Sequence, residues 1–509
     1  MYGGVHVFAF TIVNAVKTGP QLLHLRLQGG SIATSMSSLF LRRAFTSRVP
    51  TGTLALQVIR IYFNVAIVLY HAAFYLAFSL SSSAPADALI NEFSSVSAVL
   101  FQFVNFGFRY GVDAFFFLSG FCMAPKLKAC FNVDGSKISL GAVVRYILLR
   151  WLRLAPMYTI TSMIYAAIGN SLCPNLAEIL LFGNLFTIAH DRCLIEGWST
   201  VVDFQVHIVI CVLALVSRSL SILQFALGIS ILGSALSRIM IWYEAGFPAW
   251  PLMFNVQDVT KTYSAKVALA TTHRLNMGAF DVQSYDAMSR RRIFQAYYPL
   301  YFQTGYRLIP CMIGFLVWYE MYRKGFVHLL VLRRKAAAVV TGLLLMLMDY
   351  FALFYFHPSS KTFNKYFGAL HEGFGSALVV GGLGLIVMAC CRVDTDEAGD
   401  LNHDKRQRVS CSRLQHLLNN PIISFWSRSL YAIYQLHPNF VRTVTWVGPN
   451  VADENFSHAV VLVKGLMLYA CTVAFSVPVI AVEQVCLELR FYLKNKAEPT
   501  SAEPSKKDS

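Results

Sequence analysis

The strongest constraint on the fold is an apolar run from Leu54 to Leu80 that contains one arginine and one histidine. A helix crosses a bilayer in ~20 residues, so this run is long enough to span one. Ionisable groups at that depth are costly and usually face a protein interior or a polar cavity. Three helical turns bring Arg60 and His71 to one helix face, ~16 Å apart along the axis. With Asn64 near the same face, the run predicts an intramembrane site.

Plainer interpretations of this segment stay open. Arg60 can extend to the lipid interface on its apolar stem, as long basic side chains do. His71 can form a hydrogen bond inside a helix bundle without any further role. The functional alternative is an elongated ligand that contacts both side chains.

Composition indicates a polytopic membrane protein. The 509 residues are 56% hydrophobic and 14% charged, whereas soluble domains are nearer ~45–50% apolar and ~25% charged. The net charge of +16 is typical of cytoplasmic loops rich in Lys and Arg. No separate basic domain indicates a nucleic-acid partner. The predicted fold is therefore all-α, a membrane helix bundle.

Hydropathy predicts about ten transmembrane helices by the length criterion. The segment 199–217 is the weakest of them, because it contains Asp203, Gln205 and His207. The ten segments are 54–79, 98–123, 145–168, 199–217, 220–243, 301–322, 336–356, 372–391, 424–447 and 458–485.

Three regions are predicted along the chain. A cytoplasmic lead-in at 1–50 precedes a transmembrane domain at 51–490, and a disordered cytoplasmic tail follows at 491–509. The distribution of Lys and Arg places the N-terminus and the loop 124–144 in the cytoplasm. No signal peptide is predicted. A plasma membrane and an endomembrane both fit this organisation.

Two features of the predicted outer loops agree with this orientation. Cys173 and Cys193 flank the loop 170–197, where an oxidising lumen permits a disulfide, with two free thiols as the alternative. Asn455 begins an Asn-Phe-Ser glycosylation pattern in another outer loop. No metal-ligand spacing is recognisable, and the segment around Cys193 does not have a zinc pattern.

Asp113 stands at the start of a strongly apolar stretch. A carboxylate is stabilised near a helix N-terminus, so capping alone explains this position. The catalytic alternative is that Asp113 orients a ring nitrogen of His71, as a third group orients the base in a triad. Just beyond it, Ser119 and Gly120 provide a small surface that favours close helix packing.

Arg150 and Arg153 are three positions apart and share one helix face. Both lie towards the predicted cytoplasmic end of a span. One interpretation is that they anchor the helix at lipid headgroups. The other is that the two guanidinium groups bind the phosphates of a cytoplasmic donor such as coenzyme A.

These motifs, in this order, resemble those of the membrane-bound acyltransferase-3 family, and later ones resemble its animal "nose resistant to fluoxetine" branch. The resemblance covers about 54–490. The chain departs from the family pattern at two places. Ser199 follows Trp198 where the family usually has a tyrosine, and Gln57-Val-Ile precedes Arg60 where the family often has an acidic residue. The motifs are Arg60 with His71, Val112-Asp-Ala-Phe-Phe-Phe-Leu-Ser-Gly-Phe121, Arg150-Trp-Leu-Arg-Leu-Ala-Pro-Met-Tyr158, Cys193–Gln205, Arg307–Gly314 and Leu430–Pro438.

The resemblance implies a ten-helix O-acyltransferase that moves an acyl group from a cytoplasmic acyl-CoA-type donor to a hydroxyl acceptor on a lipid, sugar or small molecule. It implies that His71 is the general base, that Arg60 is its motif partner, and that Arg150 and Arg153 lie near the donor. Acyl-CoA is then a co-substrate, and no bound cofactor is implied. No catalytic role is assigned to His437, which is a polar group in apolar surroundings. A lipid or xenobiotic transporter with this fold and a pseudoenzyme are the alternatives.

Overall fold

A computed structural model describes most of the predicted transmembrane domain. The described residues form helices and no β-strand, which confirms the all-α fold for this part of the chain. Regions 1–50 and 491–509, together with Cys173, Cys193 and Asn455, lie outside the described residues. Those described are 54–78, 96–130, 138–169, 176–186, 197–217, 219–245, 304–355, 365–391, 426, 429–438, 462–474 and 476.

A described helix overlaps at least part of every predicted membrane segment. A single 3₁₀ turn at Thr304–Tyr306 precedes the eighth α-helix. The α-helices are α1 (Leu54–Phe78), α2 (Val96–Lys128), α3 (Leu140–Gly169), α4 (Leu176–Ile179), α5 (Gly183–Phe186), α6 (Trp198–Val216), α7 (Leu220–Ala245), α8 (Leu308–Tyr322), α9 (Phe326–Arg333), α10 (Lys335–Tyr355), α11 (Lys365–Cys390), α12 (429–438) and α13 (Leu462–Ala474).

Four helices in the described part of the chain are long and apolar enough to cross a membrane, namely α6, α7, α10 and α11. Shorter apolar helices lie at Leu56–Ala72, Leu308–Tyr322 and Leu462–Ala474. These helices indicate an integral membrane protein, while the count of ten spans stays a prediction. The weakest predicted segment, now α6, is among the four.

Large apolar side chains on the outside of the bundle indicate which helix faces meet lipid. Helices α7 and α10 each expose a row of them, and their opposite faces pack inward. A soluble protein rarely leaves such a surface in contact with water. The exposed side chains include Phe225, Ile229, Leu232, Leu236 and Met240 on α7, with Val340, Leu343, Leu344 and Met348 on α10.

Glycines bring α2 and α8 into backbone contact. A Cβ atom on Gly120 would lie 1.9 Å from the carbonyl oxygen of Cys311, and one on Gly314 would lie 2.0 Å from that of Phe117. Neither position has room for a side chain. The close packing predicted for Ser119 and Gly120 is therefore confirmed, and it makes α2 a central element of the core.

The short helix α4 lies beside the middle of α3, inside a region predicted as an outer loop, and α5 follows it against α6. Trp151 Nε1 donates to the carbonyl oxygen of Ile179 over 3.2 Å, and the Tyr158 hydroxyl donates to the buried Glu178 carboxylate. Helix α4 thus reaches the midpoint of α3. Hydropathy missed this because it detects segments long enough to span, whereas these two helices have four residues each.

Candidate functional site

Two histidines that are far apart in the sequence meet inside the helix bundle. His71 on α1 and His437 on α12 approach to 2.7 Å between Nδ1 of the first and Nε2 of the second. The rings stack almost parallel, with their centroids 4.9 Å apart. His437 is fully buried and His71 is half-buried. These two residues are called the histidine pair below.

A backbone carbonyl determines which nitrogens of the histidine pair carry protons. His437 Nδ1 lies 2.6 Å from the carbonyl oxygen of Tyr434. A carbonyl oxygen only accepts, so Nδ1 is the protonated nitrogen of His437. In the neutral ring, Nε2 of His437 then accepts a hydrogen bond from His71 Nδ1–H. The lone pair of neutral His71 is consequently on Nε2, which is the nitrogen that can take a proton.

Hydrogen bonds from α1 to α12 and α13 hold the histidine pair in register. Asn64 is fully buried, and its Nδ2 donates to the carbonyl oxygen of Leu430 over 3.1 Å. Its Oδ1 accepts from the Tyr469 hydroxyl over 3.1 Å. Because Asn64 precedes His71 by about two turns on α1, these bonds set the depth of His71 relative to α12.

Ser199 connects α6 to the same part of α12. Its hydroxyl lies 2.7 Å from that of Tyr434, and the ring of Tyr434 contacts Phe115 edge to face. Since the Tyr434 carbonyl accepts the His437 proton, the serine found where the family pattern has a tyrosine helps to position the histidine pair.

Asp113 is bound to an arginine. Arg307 Nη1 donates to Asp113 Oδ1 over 3.2 Å, and both side chains are largely buried. The guanidinium also lies 5.5 Å from the ring centroid of Trp198. The described contacts join Asp113 to Arg307 and the His71 ring to His437, and the expectation that Asp113 orients His71 stays a prediction.

A second group of polar residues joins α2, α3 and α6. Arg150 Nη2 donates to Ser119 Oγ over 2.7 Å and forms an ion pair with the Asp203 carboxylate. The Ser119 hydroxyl is 3.4 Å from His207 Nε2, and the Asp203 carboxylate faces the same hydroxyl. We call Ser119, Arg150, Asp203 and His207 the serine cluster.

The helix backbone also orients the imidazole of the serine cluster. His207 Nδ1 lies 2.7 Å from the carbonyl oxygen of Asp203, one turn earlier on α6. Nδ1 must therefore donate, and Nε2 carries the lone pair that faces the Ser119 hydroxyl. The Asp203 carboxylate is 3.8 Å from His207 Nδ1, too far for a hydrogen bond. His207 is almost completely buried and stacks against Tyr146.

The predicted donor-binding arginines differ in their surroundings. Arg150 points into the bundle, where Asp203 already neutralises its charge. A phosphate at Arg150 would have to compete with that carboxylate. Arg153 is half-buried on the same helix, and Arg60 is half-buried on α1. Among the described residues, Arg60 has no ion-pair partner.

A third polar group, which sequence reasoning did not single out, links α2, α10 and α11. The Tyr110 hydroxyl donates to the Asp349 carboxylate and accepts from Arg109 Nε over 3.3 Å. His371 Nε2 lies 3.0 Å from Asp349 Oδ1. We call these four residues the carboxylate network. Within the described part of the chain, no three His, Cys, Asp or Glu side chains are placed to hold a metal ion.

Signals for the unpredicted contacts were present in the sequence. His207 follows Asp203 by four positions, which places both on one helix face. Asp349 and His371 are ionisable groups in or beside apolar segments, and such groups usually pair with another polar group. The pairing of His71 with His437 had no local signal, because the two are separated by most of the chain.

Comparisons of the chain with protein-family models, with curated proteins and with solved structures find no match. The resemblance to acyltransferase-3 proteins therefore stays a prediction drawn from the motifs.

Proposed function

We propose that this chain is an integral membrane O-acyltransferase of a plasma membrane or endomembrane, with His71 as its general base. The observation that carries the proposal is the hydrogen bond from His71 Nδ1 to His437 Nε2. A catalytic base needs a defined lone pair and a group that orients its ring. His437 supplies the orientation, and the half-exposed His71 is the member that an acceptor can approach.

The reaction uses an acyl thioester donor and an acceptor that carries a hydroxyl group. Nε2 of neutral His71 takes the hydroxyl proton while the acceptor oxygen attacks the thioester carbonyl carbon. The carbon–sulfur bond of the tetrahedral intermediate then breaks, an ester is left on the acceptor, and the thiolate takes the proton back from His71. General-base assistance of this kind contributes about 10²–10⁴-fold to a rate.

Basic side chains near one end of the bundle suit a phosphate-bearing donor. Lys126 is exposed near the end of α2, and Arg323 and Lys324 are exposed just after α8. Lys128 lies 4.4 Å from the Tyr322 ring centroid, which places these two helix ends together. The predicted orientation puts this end in the cytoplasm, where acyl-CoA is the co-substrate. Arg150 bonds to Ser119, about two turns before Lys126 on α2, and so lies towards this end.

The test is acyl transfer by purified protein from radiolabelled acetyl-CoA and long-chain acyl-CoA to a lipid or sugar extract. His71→Ala is expected to abolish transfer while the yield and the elution volume of the folded protein stay unchanged. Full activity in His71→Ala would rule out the proposed base. A matched control is His328→Ala, since His328 is a buried histidine on α9 outside the three polar groups.

A lipid or xenobiotic transporter is the second candidate, and the carboxylate network favours it. That network, together with the buried ion pair between Arg238 and Glu372, places several charges inside the bundle where a permeation path would need them. Counterflow of labelled lipid in liposomes without an acyl donor distinguishes the two functions, because acyl transfer requires the donor. A pseudoenzyme would show neither activity.

A further inference from the structure

The serine cluster has the arrangement of a nucleophile with its own base. The Ser119 hydroxyl lies 3.4 Å from His207 Nε2, and the carbonyl of Asp203 holds the opposite ring nitrogen in its protonated form. The hydroxyl proton has two acceptors within reach, His207 and the Asp203 carboxylate. Because Arg150 neutralises that carboxylate, the neutral imidazole is the better base. Such a contact is often longer in a ligand-free enzyme than in its substrate complex.

Arg150 supplies the third element of such a site. Its Nη2 donates to the oxygen of Ser119, which favours negative charge on that oxygen. Its Nε–H is buried and has no hydrogen-bond partner among the described residues. A buried donor without a partner is costly. A developing oxyanion next to Ser119 would accept from a donor of this kind, and such contacts stabilise tetrahedral intermediates.

We propose that Ser119 is a catalytic nucleophile that takes an acyl group from a phosphate-bearing acyl thioester and holds it as a covalent ester. This goes beyond the proposed function, on which it rests for the class of donor, because the acceptor now attacks the ester of Ser119 instead of the thioester. Ser119 lies towards the basic end of the bundle, about two turns before Lys126 on α2. The donor therefore meets Ser119 from the side that its phosphates favour.

The steps balance without any further reactant. His207 Nε2 takes the Ser119 proton as the serine oxygen bonds to the thioester carbonyl carbon. The carbon–sulfur bond then breaks, and the leaving thiolate takes the proton from His207, so that acyl-Ser119 and free thiol remain. A hydroxyl acceptor, or water, later attacks the serine ester and returns a proton to Ser119. Two easier steps replace one difficult step, as in other covalent mechanisms.

The experiment is to incubate the full-length protein with radiolabelled acyl-CoA, denature it and measure the label that stays on the protein. Wild type is expected to carry label that survives neutral hydroxylamine, because that reagent cleaves thioesters and leaves oxygen esters intact. This treatment also removes any acyl group on Cys311, which lies in the same region. Mass spectrometry of the labelled peptide should locate the acyl group at Ser119.

Four variants distinguish the explanations. Ser119→Ala should carry no hydroxylamine-resistant label, Ser119→Cys should carry label that hydroxylamine removes, and His207→Ala should be labelled about 10²-fold more slowly. The matched control is Ser162→Ala, since Ser162 is a buried serine whose hydroxyl donates to the carbonyl oxygen of Tyr158, one turn earlier on α3. It should be labelled like wild type.

His71→Ala separates this inference from the proposed function. It should keep the label on Ser119, because the His71 ring contacts Phe108, about three turns before Ser119 on α2, and lies outside the serine cluster. Label on Ser119 with no transfer to any acceptor supports the nucleophile and overturns the transferase. Three results would each overturn the nucleophile. The first is transfer by wild type without label on the protein, and the second is hydroxylamine-resistant label on Ser119→Ala. The third is a wild type that takes no label from any acyl thioester.

Discussion

The histidine pair and the serine cluster use one structural device in two different electrostatic settings. In each, a backbone carbonyl of the same helix accepts the Nδ1 proton of an imidazole and so places the lone pair on Nε2. The hydrogen bond within the histidine pair joins two neutral rings. The serine cluster adds an ion pair and a hydroxyl. The first setting suits a base that acts on a hydroxyl from outside, and the second contains a hydroxyl of its own.

This difference gives the two regions different dependences on charge. Removal of one member of an ion pair leaves a buried charge without compensation, which is expensive. Removal of a ring from the histidine pair leaves a buried group with a lost hydrogen bond, which costs less. Changes in the serine cluster should therefore affect folding most, whereas changes in the histidine pair should affect catalysis more than folding.

The largest expected effect is that of Asp203→Ala. This change leaves Arg150 buried without its carboxylate, so the free energy of unfolding should fall by about 3–5 kcal/mol. Denaturant unfolding of the protein in detergent measures the loss. The double variant Arg150→Met with Asp203→Ala should lose less stability, because no buried charge is then left without a partner. Equal losses in the single and double variants would contradict the electrostatic explanation.

Next in size is Gly120→Ala, beside Ser119. Its Cβ would lie 1.9 Å from the Cys311 carbonyl oxygen, so α2 and α8 must move apart, at a cost of about 2–3 kcal/mol. Gly233→Ala on α7 is the matched control, since nothing lies within 4 Å of a Cβ there. Thermal unfolding should show a lower midpoint for the first variant alone. A similar midpoint for both would show that α2 and α8 are not in backbone contact.

His437→Gln tests the histidine pair. Without the orienting ring, His71 should lose its defined tautomer and the rate of acyl transfer should fall by about 10²-fold, with the KM for the donor unchanged. Initial rates at several donor concentrations separate the effect on kcat from the effect on KM. His328→Gln is the control. A rate close to wild type would remove His437 from the mechanism, whatever the outcome for His71.

The smallest effect is expected from Tyr469→Phe. The change removes the hydroxyl that donates to Asn64 Oδ1, so the free energy of unfolding should fall by about 1 kcal/mol. Tyr243→Phe is the control, because its exposed hydroxyl lies 3.5 Å from that of the exposed Tyr366, at the outside of the bundle. Denaturant midpoints of both variants check the prediction. No change in Tyr469→Phe would mean that this bond does not hold α1 in place.

Local patterns predicted the helices well and their partners less well. The length and apolarity of a segment depend on neighbouring residues, so each predicted segment overlaps a described helix, and the glycine at 120 indicated close packing correctly. The partner of His71 depends on how α1 meets α12, and no local pattern carries that information. Likewise, no local pattern indicated that the Asp113 carboxylate forms an ion pair with Arg307.

By itself, the sequence determined an all-α fold with apolar helices, because burial of apolar segments in a bilayer requires backbone hydrogen bonds within each helix. It also determined which segments carry costly polar groups. Only the tertiary structure decided that His71 bonds to His437, that Asp203 neutralises Arg150 and that Ser119 faces His207. The physical reason is that a buried polar group is satisfied by whichever partner the packing brings within about 3 Å, and that choice is made between helices.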